Sequence, residues 1–324
     1  PPMGGALAGR AFASATVARP PAGSVVAMQH VQWEWRPRLR TPVLVAAFGG
    51  WNDAGDAATL AVDHLVQVLE ARRFATLDPE EFYDFQQTRP MVRLADGVTR
   101  EVVWPANDLY AAGTAGGDVI LLAGNEPQLR WRTFCDQILG VARDLGVRQV
   151  LTLGALLADV VHSRPVNVIG TSTDPVLIER HQLQRSRYEG PTGIVGVLHD
   201  ACARADVPSL SLWAAVPAYA QSTPSPKAAL ALVVEAGNLL GATLDVGALP
   251  DAAREYVDEI EAAVADDDDL LGYVRRLEAL ADSAEDEDED GDDAAIGEPA
   301  ELPSLERLVE EVERFLRDQG ADGT

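Results

Sequence analysis

The chain has 324 residues, 51 acidic and 26 basic side chains, and a formal net charge of −25. That length supports one large α/β domain, or a domain with an appendage, around a substantial core. The charge excludes a general binder of phosphate backbones, which needs a basic surface.

Residues 1–41 read as a leader. Its first 30 residues are small, apolar and basic, and Gly4, Gly5 and Gly9 break up the apolar centre that a signal peptide requires. They are expected to be disordered, or to lie upstream of a start at Met28. Pro42–Phe48 (PVLVAAF) is a continuous apolar run of buried-strand length. It ends in Gly49-Gly50-Trp51-Asn52-Asp53, and then Ala57, Leu60, Ala61, Leu65, Val68 and Leu69 recur at helical spacing. Met91–Leu94 and Val98–Trp104 flank Asp96-Gly97, a pair that tolerates the positive φ of a type I′ turn, so 91–104 reads as a hairpin insertion. A protruding hairpin of this kind often pairs with another subunit.

Further strands are expected at Asp118–Ala123, Val147–Leu153, Val166–Gly170 and Pro208–Val216. Helices are expected from Phe134 to Leu145, at about 174–183, at Gly193–Ala205 with Thr192 as its cap, and from Ala228 to Leu240. Strands alternating with helices imply a three-layer α/β/α core over 42–247, with a mostly parallel, mixed sheet.

Beyond residue 247 the pattern changes to a C-terminal helical appendage, 248–324. Ala253, Tyr256, Val257, Ile260, Ala263 and Val264 form one helical stripe, and Leu270, Val274, Leu277 and Leu280 another. Residues 282–301 hold eleven acids and read as a disordered linker. Leu305, Leu308, Val309, Val312, Phe315 and Leu316 mark a last helix, whose apolar face must dock somewhere. Residues 251–324 carry 27 acidic and 6 basic residues, leaving 24 and 20 for residues 1–250. The acidity therefore belongs to the appendage, and the body is nearly neutral. No run reaches the roughly 18–20 apolar residues of a membrane helix. Cys135 and Cys202 offer neither zinc spacing nor a disulfide framework, so a cytoplasmic location is expected.

In open α/β sheets, ligands sit outside the carboxyl ends of the strands. This gathers four segments: Gly49–Asp56, Ala123–Trp131, Gly154–Pro165 and Pro217–Pro226. In the first, Asn52 and Asp53 stand at a helix N-terminus. Asp53 either caps that helix or serves a ligand, and its charge together with that of Asp56 opposes an anion there. In the second, Glu126 precedes Trp131 and either binds a ribose hydroxyl, a metal or an amine, or caps the helix after Pro127. In the third, His162 is the best placed of five histidines for a general base, and Arg164 has the fork of donors that clamps a carboxylate or phosphate. A structural, hydrogen-bonded histidine is the alternative. The Gly-rich YEGPTGIVG, at 188–196, matches no nucleotide motif. No GxSxG, HExxH, Walker or CxxC sequence is present, and no metal or cofactor is expected.

GGWNDAGDAATLAVDHL, GNEP with its following Trp and Phe, GALLADVVHSRPV, YEGPTGI and SLWAAVP, in that order, resemble the actinobacterial branch of the PAC2 family, which includes the proteasome assembly chaperones. The likeness covers roughly 42–241. It implies a core like that of purine nucleoside phosphorylases and some peptidases, and self-association, with a trimer as the best guess. It implies no agreed enzymatic activity. Relatives typically read PHTRP where this chain has Val161-His162-Ser163-Arg164-Pro165, and VPHY where it has Val216-Pro217-Ala218-Tyr219. Ala218 cannot transfer a proton. The hydrophobic–Tyr–any ending by which chaperone members dock on the proteasome is also missing from Gly320–Thr324.

Two readings follow. The favoured one is a homo-oligomer with a small-molecule pocket at the strand ends, lined by Asn52, Asp53, Glu126, Trp131, His162 and Arg164 and covered by the C-terminal helices. His162, Asp53 and Glu126 are its candidate catalytic groups. The other is an assembly factor without chemistry that engages a protein partner through the acidic C-terminal region. Neither nucleic acid nor membrane is expected as a partner.

Overall fold

The computed structural model describes residues 29–186 and 189–289, with side chains to residue 282. Residues 1–28, Tyr188 of the Gly-rich segment and the expected last helix lie outside the described residues.

A nine-stranded mixed sheet runs in the order β1-β3-β6-β7-β2-β8-β11-β9-β10. Its centre is β7 (Gly117–Asn125), β2 (Val43–Gly49), β8 (Gln149–Ala158) and β11 (Ser209–Pro217), all mutually parallel. These are four of the five strands expected from apolar runs. Alternation along β2 explains why the run is continuous. Val43, Val45 and Ala47 join the core under α1 (Ala57–Val68) and α6 (Pro226–Leu240), whereas Leu44, Ala46 and Phe48 join the core under α3 (Trp131–Asp144) and α5 (Ile194–Arg204). A strand covered on both faces has no solvent side to make polar.

Antiparallel strands extend both flanks. On one side lie β1 (Val31–Trp33), β3 (Arg72–Leu77) and β6 (Asn107–Thr114). On the other, β9 (Val168–Ser172) runs antiparallel to β11 and is followed by the short parallel strand β10 (Gln184–Arg185). The expected strand at Val166–Gly170 is thus present two residues later and reversed in direction.

The helices start and stop for local reasons. Pro175 and Pro226 take the first positions of α4 (Pro175–His181) and α6, and Asp174 and Ser225 cap them by accepting from Val176 N at 2.8 Å and Ala228 N at 3.3 Å. Gly241, at φ +66°, closes α6. A single turn, α2 (Pro79–Phe82), buries Phe82 against Phe134.

The hairpin forms as expected, from β4 (Met91–Ala95) and β5 (Thr99–Val103), with Asp96 and Gly97 both at positive φ. It is a separate two-stranded sheet rather than an edge of the main one.

After α6 come α7 (Leu249–Ala265) and α8 (Asp268–Glu289). Tyr256, Ile260, Val264 and Val274 pack on Val161 and Ala220, in the loops that follow β8 and β11. The linker expected over 282–301 begins inside α8, because the acidic run continues the helix as far as Glu289. The rest of it lies outside the described residues. No helix among the described residues is long and apolar enough to cross a membrane.

Candidate functional site

The four segments do converge at the carboxyl ends of the parallel strands. Ala155 N donates to Asn52 O at 2.9 Å, and Asp53 bridges to Ala155, so the ladder between β2 and β8 is carried past the end of β2. Glu126 N donates to Gly49 O at 2.8 Å and ties the second segment to the first. A 3-10 turn at Ala54–Asp56 then leads into α1.

Two clefts open here. The smaller, 330 Å³, is bounded by Gly50, Trp51, Asp53–Asp56, Leu157 and Gln221–Pro224, and Asn52 lines neither cleft. The larger, 740 Å³, lies between the Gly49–Asp63 stretch, the 87–89 loop, and Asn125, Glu126 and Gln128. Gly50 and Asp56 belong to both, so the clefts adjoin.

The six candidate residues divide between these clefts and two other places. Asp53 lines the smaller cleft, but its carboxylate is largely committed. It accepts from Ala58 N at 2.6 Å, Thr59 N at 3.3 Å and Thr59 Oγ1 at 2.5 Å, capping α1. Burial nevertheless outweighs these bonds and pushes its pKa up to about 6.

Glu126 lines the larger cleft, and Asn52 Nδ2 donates to its Oε1 at 3.2 Å. The same oxygen accepts from Ile194 N at 2.7 Å. Glu126 therefore caps α5, across the sheet, and not the helix after Pro127. The cap of α5 is correspondingly Gly193 and not Thr192. A Cβ at Gly193 would lie 2.2 Å from Asn52 Nδ2 and 2.8 Å from Glu126 Oε1, so only glycine lets the three meet. Burial raises the Glu126 carboxyl above its ordinary range.

Trp131 lines neither cleft. It opens α3, donates its indole N–H to Pro127 O, and packs on the core beneath that helix.

His162 and Arg164 form a separate group under α7 and α8. The His162 main-chain N–H donates to Tyr219 Oη at 2.9 Å, and Nδ1 lies 2.8 Å from the same oxygen. His162 is 4% exposed, and Nε2 has no hydrogen-bond partner among the described residues. Burial lowers its pKa. Lys227 Nζ donates to the carbonyls of His162 and Arg164. Arg164 pairs with Asp282, Ser163 Oγ donates to Glu278 at 2.9 Å, and Tyr273 Oη donates to Asp159 at 2.6 Å. The C-terminal helices therefore seat on the loops after β8 and β11, and among the described residues none of α7 or α8 lines either cleft.

Sequence reasoning did not single out Tyr219, the partner of His162, or Asp63, Arg89 and Tyr110 in the larger cleft. Tyr219 stands beside Ala218 in one of the motifs where this chain departs from its relatives, and that departure was the available signal. Among the described residues, no three His, Cys, Asp or Glu side chains are grouped to hold a metal ion.

Fold and site together define a three-layer α/β/α protein whose parallel strands end on a polar, acidic double cleft. The chain belongs to the PAC2 family, whose model matches residues 47–264. A PAC2 family protein from Streptomyces avermitilis is 46% identical, covers 72% of this chain and 99% of its own, and superposes with a TM-score of 0.67. A proteasome-assembly chaperone homologue from Mycobacterium tuberculosis is also 46% identical over the same shares, with a TM-score of 0.65. A second M. tuberculosis protein, of unknown function, is 30% identical, covers 79% of this chain and 92% of its own, and reaches a TM-score of 0.72. The comparison with curated proteins finds no match.

Proposed function

We propose that this protein works by binding rather than catalysis, as a self-associating assembly factor whose hairpin is the surface on which copies meet. The observation that carries this reading is the apolar content of the hairpin segment, residues 91–104. Met91, Val92, Leu94, Val98, Val102 and Trp104 are between 47% and 83% exposed. Val92, Leu94 and Val102 share one face of the hairpin by register, and exposed apolar side chains gathered on one face mark an interaction surface. The commitment of Asp53 and Glu126 to helix N-termini supports it from the other side, since each carboxylate already accepts hydrogen bonds from the protein's own donors. So does the description of a 46%-identical relative as a proteasome-assembly chaperone homologue. In this reading residues 42–247 are the body, the copies form a trimer, and the acidic C-terminal region engages the protein partner.

Light scattering on the full chain tests it. The wild type is expected at three times the 34.6 kDa chain mass, and Leu94→Asp with Val102→Asp at one. A monomeric wild type, or an unchanged mass in the variant, overturns the reading.

A second reading, a small-molecule site, is supported by the 740 Å³ cleft, a size typical of ligand pockets. A saturable rise in melting temperature with a protein-free metabolite extract tests it, because a ligand of the native state alone stabilises that state. The rise should vanish in Thr59→Trp, which fills the cleft.

A further inference from the structure

The lining of the larger cleft is unusual for a ligand pocket. Such pockets are mostly apolar with a few placed polar groups, whereas in this one Ala123 and Tyr110 are the only apolar or aromatic residues beyond its glycines. A ligand that fits it buries little hydrocarbon and makes many hydrogen bonds.

The charge has one sign. Asp56, Asp63 and Glu126 line the cleft against a single cation, Arg89. Thr59 and Asp63 stand one turn apart on α1, and Asp56, at φ +50°, precedes the helix and lines the same cleft. Neither Asp56 nor Asp63 has an ion-pair partner among the described residues. Glu126 faces them from the β7 side, with Oε1 held by Ile194 and Asn52.

These carboxylates are spread along the walls rather than gathered on one point, and no metal-holding group forms among the described residues. Spread carboxylates suit an organic ammonium, whose three donors can be shared between separate acceptors. The neutral lining, Gln87, Thr88, Asn125 and Gln128, supplies partners for hydroxyl groups. Gly50, also in the lining, is at φ +124°, a backbone conformation that favours glycine.

We propose that this cleft binds a small polyhydroxylated primary amine, of the aminated-sugar class, with its ammonium between Asp56 and Asp63 and its hydroxyls on the amide side chains. The proposal rests on the small-molecule reading above and adds the ligand's chemistry to it.

The test is calorimetry and thermal melting of the full chain with glucosamine, and with glucose as the neutral match, at constant ionic strength. Glucosamine is expected to bind saturably and at least tenfold more tightly than glucose. Asp63→Asn, an exposed substitution, is expected to reduce glucosamine affinity tenfold or more without lowering the melting temperature of the free protein. Equal binding of the two sugars, or glucosamine binding unchanged in Asp63→Asn, overturns the charge assignment and leaves the small-molecule reading in place. Binding of neither sugar, while metabolite extract still stabilises the wild type and not Thr59→Trp, overturns the ligand class alone. No effect from sugars or extract overturns both.

Discussion

Glu126 and Ile194 are 68 residues apart in sequence, and the Glu126 carboxylate accepts the Ile194 N–H at 2.7 Å. One side chain, from the loop after β7, thereby closes the N-terminus of α5 and holds the amide of Asn52 from the loop after β2. Three loops at the carboxyl edge of the sheet share a single acceptor.

Removing that acceptor should cost what a lost helix cap costs. Glu126→Ala leaves the Ile194 N–H without its partner, and urea unfolding is expected to show a loss of about 1–2 kcal/mol. Glu126→Gln keeps a carbonyl oxygen in place and should lose less than half as much. Equal losses in the two variants would mean that packing, not the hydrogen bond, is what Glu126 supplies.

Asp53 makes stability fall as pH rises. Its folded pKa, about 6, is raised above the ordinary carboxylate value. Between about pH 4 and 6 the unfolded chain gives up this proton while the folded one keeps it, so the folded state loses ground. The full effect is of the order of 3 kcal/mol, present below pH 4 and gone above pH 6. The stability difference between wild type and Asp53→Asn, followed by urea unfolding from pH 3.5 to 7, should decline across that window. A flat difference would remove Asp53 as its source.

His199 acts in the opposite direction. It lies beneath the sheet, with Nδ1 2.9 Å from Ser209 Oγ and Nε2 2.6 Å from Ser211 Oγ and 2.9 Å from Thr152 Oγ1. Burial pushes its pKa down to about 4. The stability it contributes is present above pH 6.5 and is lost as pH falls toward 4, because the unfolded chain takes up the proton first. Nuclear magnetic resonance titration should find this one histidine ring neutral at pH 5. His199→Gln should flatten the acid limb of the stability profile between pH 6.5 and 4.

The Arg164–Asp282 pair should contribute little. Its side chains are 42% and 55% exposed, and an exposed pair is worth about 0–1 kcal/mol. A double-mutant cycle on Arg164→Ala and Asp282→Ala is expected to give a coupling in that range that shrinks with added salt. The seat of α7 and α8 then depends on Tyr256, Ile260, Val264 and Val274. A coupling well above 1 kcal/mol would contradict this.

The strands that were legible in the sequence are those buried on both faces. β2, β7, β8 and β11 announce themselves as apolar runs, broken only by Thr152 inside β8 and Ser211 inside β11. β3 and β6 do not, because RRFATL carries a register shift between Arg73 and Ala75 and NDLYAAGT mixes polar and small residues on a flank of the sheet. The site divides in the same way. Asp53 as the cap of α1 is readable because donor and acceptor lie five residues apart. Glu126 with Ile194, and His162 with Tyr219, are pairings that only the folded sheet creates. Spacing along the chain carries no trace of either.

The Glu126 cap also bears on which ligands the protein can admit. The N-terminus of α5 is where an open α/β fold would hold a phosphate, and here a covalently tethered anion already fills it. A tethered group competes at a local concentration of the order of millimolar or more. A phosphorylated metabolite arriving from solution would have to displace Glu126 before it could use those amides. The fold thus carries its own resident competitive inhibitor at that position.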